Sequence, residues 1–189
     1  MSQVIVIEFA SLDGVIQDPD GNEGSRQGGW AFRYGPEPVT GDPFALSEVL
    51  DAGALLLGRR TWEMFAKIWP GRDDPFSAKM NAMPKLVASR SLVQAAGWQN
   101  STVLQGDLVA AVRERKRAQD IVVMGSASVV RTLMASDLVD EYRLMVFPLI
   151  LGEGMRLFPD GTAPVNLALA SAQTTGPAVK LIYTRPEHQ

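Results

Sequence analysis

Short apolar runs that break off into small polar residues limit most strongly what this chain can become. Val4–Ala10, Ala54–Leu57, Lys85–Ala88, Thr102–Leu104 and Asp120–Met124 are dominated by Val, Ile, Leu and Ala, each over about one strand's length. A strand apolar on both faces belongs inside a parallel sheet, because an antiparallel sheet with one wet face alternates polar and apolar residues. Helical spacing separates these runs. It covers Phe44–Ala52, the stretch after Gly58 that carries Trp62, Phe65 and Trp69 and stops at Pro70-Gly71, Leu108–Ala118, and the segment through Ala135. Three strands without helices then follow, at Glu141–Phe147, Leu167–Thr174 and Val179–Tyr183. This order predicts an α/β fold: a mostly parallel sheet flanked by helices, with an antiparallel edge at the C-terminal end. Neither an internal repeat nor a linker interrupts it, so residues 1–189 are read as one domain.

Composition narrows the chemistry. There is no cysteine, and the single histidine is His188 in the polar tail Arg185-Pro186-Glu187-His188-Gln189. Thiol nucleophiles, iron–sulfur ligation and zinc ribbons are excluded, and a histidine-based triad on a frayed tail is a poor construction. No metal site is expected. A net charge of −3 argues against a nucleic-acid partner. No run is long and apolar enough to span a bilayer, and Met1-Ser2-Gln3-Val4 lacks signal-peptide features, so a cytoplasmic protein is expected. If the chain is an enzyme, a cofactor or the substrate brings most of the reactivity.

Three junctions place small polar residues and free backbone N–H groups at strand C-termini, where open α/β sheets bind ligands. In Leu57-Gly58-Arg59-Arg60-Thr61-Trp62, Gly58 permits a tight turn, Thr61 is a potential helix cap, and Arg59 or Arg60 offers a fork donor to phosphate. Ala88-Ser89-Arg90-Ser91 surrounds a guanidinium with two hydroxyls, and Met124-Gly125-Ser126-Ala127-Ser128-Val129 opens a helix whose backbone donors suit a pyrophosphate. Each alone also reads as an ordinary turn or capped helix start. Three together favour a phosphorylated, dinucleotide-like ligand.

Asp13, in Ser11-Leu12-Asp13-Gly14, reads as a turn carboxylate or an acid, and Asp42 as an N-cap or a ligand carboxylate. Glu8 is unusual within an apolar strand. The Gly- and Pro-rich segment Asp18–Pro43 is a long loop whose Trp30, Phe32 and Tyr34 either line a pocket for a planar ligand or anchor the loop on the core.

The order of the motifs resembles the dihydrofolate-reductase-like superfamily, in the branch of the RibD C-terminal (riboflavin-biosynthesis reductase) domain. The matching stretches are Phe9–Gly14, Leu57–Trp62, Val87–Leu92, Val123–Leu133, Leu138–Leu144 and Phe147–Phe158, six in the same order between about residues 3 and 184. The resemblance implies a three-layer fold with a mixed, roughly eight-stranded sheet. It also implies NADPH as cofactor, with Arg59, Arg60 and Thr61 and then Ser89, Arg90 and Ser91 on the adenosine phosphates. Gly125, Ser126, Ala127 and Val129 would hold the pyrophosphate, and Asp13 would lie beside the nicotinamide and substrate as the catalytic group. Such relatives usually read Gly-Ser-Gly-Ser where this chain has Ala127, whose extra methyl is expected to crowd the pyrophosphate.

The function this implies is NADPH-dependent reduction of a small planar (pyrimidinone- or pterin-like) or carbonyl- or imine-bearing substrate. It resembles 5-amino-6-(5-phosphoribosylamino)uracil reductase of bacterial riboflavin biosynthesis. Trp30 is the candidate for stacking on the substrate, Asp42 for binding it, and Asp13 or a bound water for the proton. A homodimer is expected from the family and from apolar C-terminal strands. The alternatives are a nucleotide-binding protein of the same fold without turnover, and dihydrofolate reductase activity. The long loop and the placing of Asp42 before its helix count against the last.

Overall fold

The computed structural model describes residues 2–47 and 49–186; His188 lies outside the described residues. The strands are β1 (Val4–Ser11), β2 (Ala54–Gly58), β3 (Lys85–Ala88), β4 (Ser101–Val103), β5 (Ile121–Val123), β6 (Glu141–Phe147), β7 (Ala168–Thr175) and β8 (Ala178–Thr184). They are hydrogen-bonded in the order β4-β3-β2-β5-β1-β6-β8-β7, an eight-stranded mixed sheet. The helices are α1 (Val49–Ala52), α2 (Arg59–Ile68), α3 (Pro75–Ala82), α4 (Leu108–Lys116) and α5 (Ala127–Ala135), with short 3-10 turns at Ala31–Tyr34 and Trp69–Gly71. The expected α/β class stands. No helix among the described residues is long and apolar enough to cross a membrane.

The chain forms two compact units. The first gathers the chain through Val6 with Ala45–Val139, and the second gathers Ile7–Phe44 with the chain from Asp140 onward. In the first unit β1–β5, β5–β2, β2–β3 and β3–β4 all pair in parallel. Leu55, Leu56, Leu57, Ile121, Val122 and Val123 are essentially inaccessible, as residues on centrally placed parallel strands must be. Because β2, β3 and β5 run the same way, with Gly58 opposite Ala88, the turns that follow them emerge side by side.

In the second unit β6 and β7 both pair antiparallel with β8. The long loop is ordered by aromatic packing: Phe147 meets Phe9, Trp30 and Tyr34 at centroid distances of 5.7, 5.5 and 5.8 Å. Asp18 organises its first turns. Its buried carboxylate accepts the Glu23 and Ser25 amides at 2.9 and 2.7 Å, and Gly28 lies so close that a Cβ there would sit 2.3 Å from Asp18 Oδ2. Burial opposes ionisation of Asp18, but the amide donors outweigh it and hold the carboxyl below its usual range.

Two expectations about elements need correction. Helical spacing over Phe44–Ala52 yields a helix only at Val49–Ala52, because Ala45 and Ser47 take positive φ values of 52° and 42°. The helix α3 is the reverse case. Asp74 accepts the Phe76 and Ser77 amides at its N-terminus and Pro75 takes the first turn, a start signal that the weak apolar periodicity of the segment conceals.

Candidate active site

The first unit collects ten of the candidate residues. Arg59 opens α2, whose N-cap is Gly58 and which has no side-chain cap; Thr61 is the third residue of the helix and does not cap it. Thr61 instead packs on the neighbouring turn, where a Cβ on Gly125 would lie 3.1 Å from Thr61 Oγ1. The approach between the turns is closer still at Gly58. A Cβ there would meet Ser126 Oγ at 2.1 Å and the Ser126 backbone N at 3.2 Å, so only glycine fits. Gly125, at φ 67°, is joined to Ser126 by a cis peptide.

The turn after β3 is drawn in as well. The Arg59 guanidinium donates from Nε to Glu63 Oε1 at 2.7 Å and from a terminal nitrogen to Ser91 Oγ at 2.8 Å. Ser89 Oγ accepts from the Ser91 and Leu92 amides at 3.3 and 3.0 Å. Both hydroxyls therefore use lone pairs as acceptors within the protein and keep their O–H protons to donate. Together with Arg59 they form a surface rich in donors, which suits a group that only accepts. Arg60 and Arg90 are exposed nearby in sequence. Beside this turn an open cleft of about 490 Å³ is lined by Val93, Gln94, Ala96, Thr102, Val103 and Gln105.

At α5 the N-cap is Ser126, again without a side-chain cap, which leaves the first-turn amides directed outward from the helix start. Ala127 is 4% exposed, its methyl packed among protein atoms. Val129 donates its amide to Ser126 O at 2.9 Å and buries its side chain, which makes it a packing residue.

Asp13, Trp30 and Asp42 belong to the second unit. The Asp13 carboxylate accepts from Ser11 Oγ at 2.6 Å and from the Leu151 and Gly152 amides at 3.1 and 2.9 Å, with Arg156 at 3.7 Å. The Ser11 hydroxyl, and behind it those amides, outweigh partial burial and lower the carboxyl to about 2. Held in this way, Asp13 is a clamp between two loops. Trp30 is 0% exposed to solvent and donates Nε1–H to Gln17 O at 2.8 Å, which anchors the loop, and it also borders a cavity of this unit. Asp42 lies in the bend before Pro43, seven positions ahead of α1, and caps no helix. Glu8 is half-buried. That cavity, of about 260 Å³, has Val15, Gln17, Ser25, Gln27, Trp30, Leu151 and Glu153 among its lining residues. Gln27 Nε2 spans its rim, donating to Leu151 O and to Glu153 Oε1 at 3.2 and 3.3 Å.

Sequence reasoning missed Glu63, although its place four residues after Arg59 on a helix was a legible pairing signal. It also missed Ser11 as the partner of Asp13, for which a spacing of two residues in a turn gave little warning.

Several proteins share this design. The chain is 27% identical over 188 residues to the uncharacterized protein YyaP of Bacillus subtilis, covering 95% of this chain and 93% of that one. It is 33% identical over 72 residues to YwjB of the same organism, covering 38% and 41%. Among solved structures, a provisionally assigned riboflavin biosynthesis protein from Shewanella sp. PV-4 superposes with a TM-score of 0.76 at 21% identity, covering 98% of this chain and 99% of the other. A pyrimidine reductase-like protein from Corynebacterium diphtheriae gives 0.66 at 13% identity, covering 99% and 93%. The family model of the RibD C-terminal domain matches residues 2–181, and the chain belongs to that family.

Proposed function

We propose that this protein is an NADPH-dependent reductase of a small planar pyrimidinone- or pterin-like, or carbonyl- or imine-bearing, substrate. Family membership supports reductase-type chemistry. The observation that carries the choice of NADPH is the cluster of donors formed by Arg59, Ser89 and Ser91. A ribose hydroxyl both donates and accepts, whereas an ionised phosphate monoester only accepts and is met best by guanidinium and hydroxyl donors. The glycines at 58 and 125 let the turns after β2 and β5 pack directly on one another, and the uncapped start of α5 suits a pyrophosphate. These residues fit a phosphorylated dinucleotide.

In this reading Arg59, Ser89 and Ser91 bind the 2′-phosphate, with Arg60 and Arg90 adding positive charge around it. Gly125, Ser126 and the first amides of α5 face the pyrophosphate, and the cleft beside Val93–Ala96 receives the adenine. The bound nicotinamide supplies the hydride. Asp13 stays ionised and fixes the Leu151–Gly152 loop, so the proton comes from water or from the substrate's own ionisable group. The 260 Å³ cavity beside that loop, lined by both apolar and polar side chains, receives the substrate's heterocycle in this reading.

Fluorescence titration with NADPH and NADH tests the cofactor. Arg59→Ala and Ser89→Ala are expected to weaken NADPH by roughly ten- to a hundredfold, the cost of one charge-assisted bond, and NADH little. Equal losses for both cofactors remove the 2′-phosphate assignment. Oxidation of NADPH with a pterin, pyrimidinone and quinone panel tests turnover, and tight binding without oxidation by any of them favours a binding protein.

A further inference from the structure

We infer that Glu63 is a positioning residue for cofactor choice: it orients Arg59 so that the terminal nitrogens of the guanidinium face the Ser89–Ser91 turn. This rests on the reading of that turn as the 2′-phosphate site. The argument begins with which nitrogen is used. Glu63 Oε1 takes the Nε–H of Arg59 at 2.7 Å, on the inner side of the guanidinium, while a terminal nitrogen reaches Ser91 Oγ at 2.8 Å. A guanidinium held through Nε cannot roll about its long axis, and its outer edge is left as the fork that matches a phosphate. The hydroxyl of Ser91, having accepted from Arg59, keeps its own proton to donate toward the same place. The contact therefore arranges two donors from different turns in advance of any ligand.

Stability is a weak reason for this ion pair. The Arg59 and Glu63 side chains are 46% and 40% exposed and stand four residues apart on one helix, a setting in which such pairs contribute little to folding. Arginine does, however, carry considerable rotamer freedom, and a site that has already restricted it loses less when the ligand arrives. Glu63 also places a carboxylate near an anionic ligand, so its charge opposes binding while its acceptor oxygen favours it. Glutamine separates the two effects, because its amide oxygen still accepts from Nε–H and carries no charge.

Titration of the wild type, Glu63→Ala and Glu63→Gln with NADPH and with NADH, at one fixed salt concentration, decides the matter. Glu63→Ala is expected to weaken NADPH roughly three- to tenfold, the effect of freeing one rotamer-rich side chain, with NADH unchanged. Glu63→Gln is expected to bind NADPH as tightly as the wild type or more tightly, which a lost structural contact does not explain. Thermal melts of the three proteins are expected to coincide. If Glu63→Ala binds NADPH as well as the wild type, or loses NADPH and NADH equally, the positioning role is overturned while the cofactor site survives. If the wild type binds neither cofactor, or binds both equally, the reading of the site fails and this inference fails with it.

Discussion

Asp13 illustrates how a candidate acid is committed to structure. Three hydrogen-bond donors from Ser11, Leu151 and Gly152 converge on its carboxylate, and they hold it acidic. The folded state holds the carboxyl at about 2 against 3.8 in the free chain, so the unfolded state binds the proton first as the pH falls. The stabilisation is therefore complete above about pH 4 and is lost as the pH falls toward 2. By linkage it amounts to about 2 kcal/mol at neutral pH. Asp13→Asn is expected to lower neutral stability by about that amount and to flatten the acid limb of a urea-denaturation series from pH 6 to pH 2.5. A variant as stable as the wild type at pH 7 contradicts the clamp. The identity of this residue was legible in Ser11-Leu12-Asp13-Gly14, but its partners were not. Leu151 and Gly152 lie 138 and 139 positions away, and a hydrogen bond to a backbone amide leaves no trace in side-chain pattern.

Elements differ in how much of themselves they announce. The start of β3 at Lys85 and the span of β6 are legible in the residue pattern of each run, and the three turns at the tips of β2, β3 and β5 as small polar residues, beside arginine in the first two. What pattern alone hides is the role of a charged residue inside such a run. Lys85 is 0% exposed at the first position of β3; its ammonium donates to Asn81 O and Gln99 O and lies 4.4 Å from the centre of the Trp98 ring. Desolvation lowers it from 10.5 to about 8. Between those values the unfolded chain binds more protons than the folded one, so folding stability rises with pH from about 8 to about 10.5. Below pH 8 the full cost of keeping the cation buried is present, on the order of 3 kcal/mol. Lys85→Met is expected to lose this alkaline rise. The measurement is the difference between wild-type and variant unfolding free energies at pH 7, 8.5 and 10, and a constant difference removes Lys85 as its source. The same blindness explains Phe44–Ala52, where apolar spacing was helical and two positive-φ residues cut the helix short.

At the scale of the whole molecule, a chain without cysteine and with His188 as its single histidine would, if it is the proposed reductase, draw its reactivity from what it binds. A ligand that binds only the folded protein stabilises all of it, whichever segment it touches, by RT ln(1 + [L]/Kd). At a hundredfold excess over Kd this is about 2.7 kcal/mol. For a chain of this size each kcal/mol shifts the melting temperature by about 2–4 °C, which makes the expected shift roughly 5–10 °C. NADPH is therefore expected to raise Tm progressively with concentration, and NADH at the same concentration to raise it less. The decisive arm is Arg59→Ala. Arg59 is an exposed surface residue, and its exposed pair with Glu63 contributes about 0.3–0.5 kcal/mol, so the variant without ligand is expected to melt within about 2 °C of the wild type. Its NADPH-induced shift is expected to fall to the level seen with NADH. A large loss of Tm without ligand would mean that Arg59 supports the fold, and a full NADPH-induced shift in the variant would mean that the 2′-phosphate is read elsewhere. Together these outcomes separate a residue that holds the molecule together from one that holds its cofactor.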